Sequence, residues 1–128
     1  MVTKYADRET FVREHAFGGA GSLTNRVVAT EATMYGKNRL FNHGYLKKGD
    51  EVGWHVHNGD GEIYYILAGE GDFNDNGTVV KVRAGDVCWT PDGEGHSLVC
   101  TSDEPLEMIA LVVYSSGATP RRGLQAGL

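Results

Sequence analysis

Gly49-Asp50-Glu51-Val52-Gly53-Trp54-His55-Val56-His57-Asn58-Gly59-Asp60-Gly61-Glu62-Ile63-Tyr64-Tyr65-Ile66-Leu67-Ala68-Gly69 holds two β-prone runs on either side of a turn. The runs at 52–56 and 62–68 are rich in β-branched and aromatic residues, and Asn58-Gly59-Asp60-Gly61 is a turn signal. On a strand, His55 and His57 point to one face with Cα atoms about 6.6 Å apart. An antiparallel hairpin closed by that turn sets His57 opposite Glu62 and His55 opposite Tyr64, with facing Cβ atoms about 4.5–5.5 Å apart. Two imidazoles and a carboxylate on one face form a ligand set for a divalent transition metal.

The same texture continues outward from this segment. Strands are expected at 39–47, 52–56, 62–68, 71–74, 79–83, 87–90, 96–100 and 106–114, separated by Gly/Asp/Asn turns about every ten residues. That spacing predicts an all-β sandwich or small barrel. A second hairpin, turning at Pro91–Gly95, brings in His96 and makes the set three histidines and one glutamate. One or two positions then stay open if the ion is octahedral. Asn76-Gly77-Thr78 has the form of a glycosylation sequon but reads as a hairpin turn.

Upstream, residues 7–15 are expected to form a short helix with Asp7 as N-cap and Gly18-Gly19 as its stop. Residues 23–33 contain the run Val27-Val28-Ala29-Thr30, expected as an edge strand or an arm on a neighbouring subunit. The expected organisation is an N-terminal extension at 1–38, a barrel at 39–114 and a tail at 115–128. Gly18-Gly19-Ala20-Gly21 follows no strand and lacks lysine, so it is a connector rather than a phosphate loop.

Composition narrows the function classes. Glycine, 18 of 128 residues, is about twice its average usage, which suits many tight turns. Twelve basic against seventeen acidic residues give a net charge of −5, which argues against nucleic acid as a partner. No run reaches eighteen consecutive apolar residues, so no membrane partner is expected. The start carries no apolar secretory run, and Cys88 and Cys100 are too far apart for a CxxC site. A reducing, cytoplasmic setting is the expectation.

The two segments resemble the paired motifs of the cupin superfamily. The first runs Gly49, five residues, His55-Val56-His57, four residues, Glu62, six residues, Gly69. The second runs Gly85, five residues, Pro91-Asp92-Gly93, two residues, His96, and ends at Cys100 where many members have asparagine. The resemblance covers residues 39–114 and identifies the chain as similar to small single-domain bacterial cupins. It implies an all-β, cupin-type double-stranded β-helix (jelly-roll barrel) with a short N-terminal helix or arm. It also implies one divalent transition metal (Mn, Fe, Ni, Zn or Cu) on His55, His57, Glu62 and His96, and a homodimer. The implied function is a metal-dependent enzyme on a small polar metabolite, of dioxygenase, decarboxylase, lyase or isomerase type. The alternative is a non-catalytic module that binds or senses a carboxylate or sugar through the metal; a third is a metal that only stiffens the barrel.

Tyr64, two residues after Glu62, has two readings. It is a packed aromatic with a hydrogen-bonded hydroxyl, or a catalytic acid/base similar to that of some cupin-type lyases. Cys100 lies about 13 Å beyond His96 on an extended strand, too far to share its ion, and is expected as a small hydrophobe. A Cys88–Cys100 disulfide is not expected in a reducing compartment. Trp54 and Val56 alternate with the histidines and should face outward, as should Trp89, while Cys88 and Thr90 turn inward. His43 and His15 are expected outside the site.

Overall fold

Two antiparallel β-sheets face each other across a buried core in the computed structural model, which describes residues 1–115. The strands are β1 (Thr10–Glu14), β2 (Ser22–Ala29), β3 (Asn38–Leu46), β4 (Glu51–Val56), β5 (Asp60–Ala68), β6 (Glu70–Asp75), β7 (Thr78–Arg83), β8 (Val87–Thr90), β9 (Gly95–Cys100) and β10 (Leu106–Tyr114). One sheet has the order β1-β2-β3-β10-β5-β8, the other β4-β9-β6-β7. The eight strands expected from residue 39 onward are all present. The expected tail lies, after Ser115, outside the described residues. Among the described residues no helix is long and apolar enough to cross a membrane.

Alternation builds the core. On β10, Leu106, Met108, Ala110 and Val112 are buried while the residues between them are partly exposed. Leu46, Ile66 and Leu98 complete the interior at 0% exposure. Cys88 and Cys100 are free thiols packed in it, and Thr90 is also buried. Trp54, Val56 and Trp89 face outward. Asn76 and Gly77, both at positive φ, close the β6–β7 hairpin as two-residue turns of the primed type require.

Three local expectations are corrected. No helix occupies 7–15: a 3-10 turn at Tyr5–Asp7 precedes β1, which pairs with β2 from Thr10↔Arg26 to Glu14↔Ser22. The β-prone run Thr10-Phe11-Val12 gains a ladder that a lone helix of that length would lack. The expected edge strand, β2, therefore lies inside the sheet, between β1 and β3.

The third correction concerns the two central hairpins. β4 pairs with β9 and β5 pairs with β8 and β10, so His57 is not the ladder partner of Glu62, nor His55 of Tyr64. The turn after His57 carries the chain from one sheet to the other, and the turn after Thr90 carries it back. The side chains still converge, because the inner faces of the two sheets oppose each other.

Candidate metal centre

The four expected ligand residues come from three strands and one strand end. His55 on β4 is the direct ladder partner of His96 on β9. Between Val52↔Leu98 and His55↔His96, β4 carries one more residue than β9, a bulge at Gly53-Trp54. The extra residue lets Val52 and His55, an odd number of positions apart, both face inward. His57 follows the end of β4 and is held by its backbone to the 91–95 turn, His57 N–H to Glu94 O at 2.9 Å and Gly93 N–H to His57 O at 2.8 Å. Glu62 enters from the opposite sheet, in a cross-strand row with Val112 and Thr90.

One ligand atom from each residue lies within 4.8 Å of all the others. His96 Nε2 is 3.1 Å from His55 Nε2 and 3.2 Å from His57 Nε2; Glu62 Oε1 is 3.1 Å from His57 Nε2 and 3.2 Å from His96 Nε2. The outer nitrogens are held as well. His57 Nδ1 lies 2.6 Å from Asp60 Oδ1, His55 Nδ1 2.7 Å from the Gly53 carbonyl, and His96 Nδ1 2.7 Å from Thr90 Oγ1. A carboxylate and a carbonyl only accept, so Nδ1 of His57 and His55 carry the protons and their Nε2 lone pairs face the centre. Lone pairs and a carboxylate aimed at one point are mutually repulsive unless a cation lies between them. The donor set therefore fits a divalent metal: edges of 3.1–3.2 Å suit ligands at about 2.1 Å and near-right angles.

The protonation states agree. Burial pushes the His55 imidazole down to about 4, so it is neutral near pH 7. Burial raises the Glu62 carboxyl, but its contacts with the His57 and His96 rings outweigh that and bring it to about 2, so it is ionised. His57 is raised, first by its contact with Glu62: the buried carboxylate favours a cation, proton or metal, beside His57 Nε2.

Beside the cluster lies a cavity of about 110 Å³, well below the several hundred Å³ of drug-sized pockets. Asn25, Asn42, Tyr64 and Ala110 line it among others, with Arg13 and Arg39 contributing the charge. Ala110 sits between Asn42 and Tyr64 in one cross-strand row, and its small side chain leaves the space. Asn42 Nδ2 donates to Asn25 Oδ1 at 3.3 Å, and both amides are buried. Tyr64 is buried with its ring stacked on His96 at 5.0 Å; burial, then the Glu62 charge, lifts its phenol well above the usual range.

Several participants carried no readable signal. Asp60, three residues after His57, bonds Arg39 Nε through its other oxygen at 3.0 Å; only that spacing hinted at it. Arg39, Asn25 and Asn42 reach the site through strand pairing and Phe17 through a turn packed on β4, which local sequence does not display. Alternation turns Thr90 inward but does not mark it as a partner of His96. His43 is outside the site, hydrogen-bonded to Glu107 at 2.9 Å and Tyr45 at 3.2 Å, and His15 is exposed.

A jelly-roll with three histidines and a glutamate converging inside defines a class of small barrels able to hold a metal ion and a small ligand. The cupin-domain family profile matches residues 42–114, more than half of the chain, and the protein belongs to that family. An oxalate-binding protein of Thermotoga maritima is 45% identical over 96 residues, 75% of this chain and 79% of the relative. A crystal structure from Thermotoga maritima, described as a predicted oxalate decarboxylase, superimposes with a TM-score of 0.85 at 39% identity, covering 89% of this chain and 99% of that one. A cupin-2 domain protein of Rhodospirillum rubrum shares the fold alone, with a TM-score of 0.73 at 15% identity over 96% of this chain and 82% of its own.

Proposed function

We propose that His55, His57, Glu62 and His96 hold one divalent transition metal, and that the chain binds a short dicarboxylate of the oxalate class there. The observation that carries this is the convergence of three Nε2 atoms and a carboxylate oxygen beside a cavity sized for a few heavy atoms. When bound, the ion supplies Lewis acidity toward carboxylate oxygens at its open positions. The chain's own residues do the rest. Asp60, Gly53 O and Thr90 fix the imidazole orientations, the Asn25–Asn42 pair offers N–H donors, and the apolar walls exclude water. The names of the two Thermotoga relatives support oxalate as the first ligand to try.

Titration calorimetry of metal-loaded protein is expected to show oxalate binding at least about tenfold tighter than acetate, since two carboxylates make more contacts than one. Stoichiometric metal with no heat from oxalate would overturn the ligand assignment.

Turnover is the second reading, favoured by Tyr64. Its buried, protonated phenol lines the cavity; in this reading it gives a proton to the carbon left when a C–C bond of the ligand breaks with loss of CO₂. Formate release from oxalate that disappears in Tyr64→Phe would support it; oxalate recovered intact would leave binding alone.

The outer face of the six-stranded sheet favours a homodimer. Cross-strand rows Phe41–Leu111–Ile63–Trp89 and His43–Ile109–Tyr65–Val87 present contiguous apolar surface, with Tyr65, Val87 and Trp89 exposed. Light scattering after gel filtration should give twice the 13.9 kDa chain mass, and a single species at the chain mass would end this assignment. The free, buried thiols of Cys88 and Cys100 suit a reducing, cytoplasmic setting.

A further inference from the structure

A strained strap from the N-terminal segment borders the cavity, which its Phe17 helps to line. His15 (φ 49°) and Phe17 (φ 52°) both adopt left-handed backbone that non-glycine residues avoid, within the turn around Ala16–Gly18. The strap is pinned at both ends by backbone bonds, His15 N–H to Gly21 O and Glu51 N–H to Ala20 O, each 2.8 Å. It is also pressed onto β4. A Cβ on Gly53 would strike the Phe17 carbonyl and lie 2.7 Å from Gly19 N, so only glycine permits this approach.

What this strained geometry achieves is a three-part stack. The Phe17 ring lies flat on the His55 imidazole, centroids 3.6 Å apart and planes 11° from parallel. The Arg13 guanidinium sits 4.1 Å from the same ring. Two groups that close cannot share one face, so Phe17 is sandwiched between His55 and Arg13. Arg13 and Phe17 both line the cavity. The other lining cation, Arg39, is neutralised by Asp60 at 3.0 Å. Among the described residues Arg13 has no carboxylate partner and no hydrogen bond, so its fork of N–H donors is uncommitted.

We propose that Arg13, held beside the cavity by the Phe17–His55 stack, selects dianions by taking the far carboxylate of a ligand whose near carboxylate is held at the metal. This rests on the metal-anchored carboxylate reading above and adds its specificity determinant. A divalent ion with Glu62 leaves the centre one positive charge, enough for a monoanion; the uncommitted guanidinium matches the second charge. Arginine suits the task because its planar fork meets a carboxylate bidentately, and stacking on Phe17 spares part of the ordering cost. Phe17 acts as a positioning residue: it touches no ligand atom in this scheme but fixes where the cation stands.

The test compares oxalate with acetate on metal-loaded wild type, Arg13→Gln, Arg13→Lys and Phe17→Leu, with metal content measured on each. Arg13 is exposed, so its replacement spares the core. Arg13→Gln is expected to weaken oxalate binding about 10–100-fold, as loss of a charge-assisted contact does, while acetate affinity stays within about twofold. Arg13→Lys should recover part of the loss, and Phe17→Leu should weaken oxalate by about 3–10-fold with acetate again spared. Equal oxalate affinity in wild type and Arg13→Gln, or parallel loss of acetate, would overturn the clamp while leaving the metal-anchored reading standing. Wild type that holds metal but binds neither acid would remove both.

Discussion

Replacing His57 by alanine is expected to empty the metal centre. His57 Nε2, Glu62 Oε1 and His96 Nε2 form a triangle with sides of 3.1–3.2 Å, so loss of His57 removes one of three mutually adjacent donors. It also leaves Asp60 Oδ1, which accepts from His57 Nδ1 in a buried position, without that partner. Elemental analysis of protein purified without an affinity tag and dialysed against a chelator should give about one metal equivalent per wild-type chain and under about a tenth in His57→Ala, because water replaces a ligand whose ring is held in position by Asp60. Asp60→Asn should lie between, weakening metal affinity about 10–100-fold, because it disturbs the orientation and basicity of a ligand it does not replace. Equal metal in wild type and His57→Ala would dismiss His57 as a ligand. Metal in neither, after reconstitution, would dismiss the centre.

Leu98→Ala should separate the stability of the barrel from the chemistry of the site. Leu98 is fully buried on β9, two residues beyond His96, between its ladder partners Val52 and Phe73. Both neighbours belong to strands that the rest of the sheet holds in place, so the space cannot collapse freely. Truncation should cost about 2–5 kcal/mol and lower the melting temperature by roughly 10 °C or more. The comparison belongs in chelator-treated protein, since a bound ion would itself raise the melting temperature. Metal stoichiometry in the folded variant should equal that of wild type. A loss under about 1 kcal/mol would mean that this layer repacks around the gap.

Much of the architecture was legible because strand formation here is local. The β-prone runs and Gly/Asp/Asn turns from residue 39 onward marked eight strands, and period-two alternation turned His55 inward and Trp54 outward. Residues 7–15 misled because a capping aspartate and a terminal Gly-Gly resemble helix signals at short range. The β1–β2 ladder that overrides them depends on residues eight to sixteen positions away.

The site divides along the same line. Sequence alone determined which residues converge. The spacing His55-x-His57 with Glu62 five residues on, followed by His96 beyond a Pro-Asp-Gly turn, is read within short stretches whose geometry is nearly invariant. It did not determine how they converge. The simplest closure of the 58–61 turn is a hairpin, whereas the chain steps between sheets there, and Glu62 meets His57 across the interior instead of along a ladder. Only tertiary structure set Asp60, Thr90 and Gly53 O against the outer nitrogens, left a cavity over Ala110, and pressed Phe17 onto His55 with Arg13 above it. The outer-nitrogen partners lie only two to six residues away, but their contacts form where strand bulges and sheet-to-sheet turns re-aim the chain, and Phe17 reaches His55 from a distant segment. No local periodicity records an arrangement whose free energy is gained only once both sheets are formed.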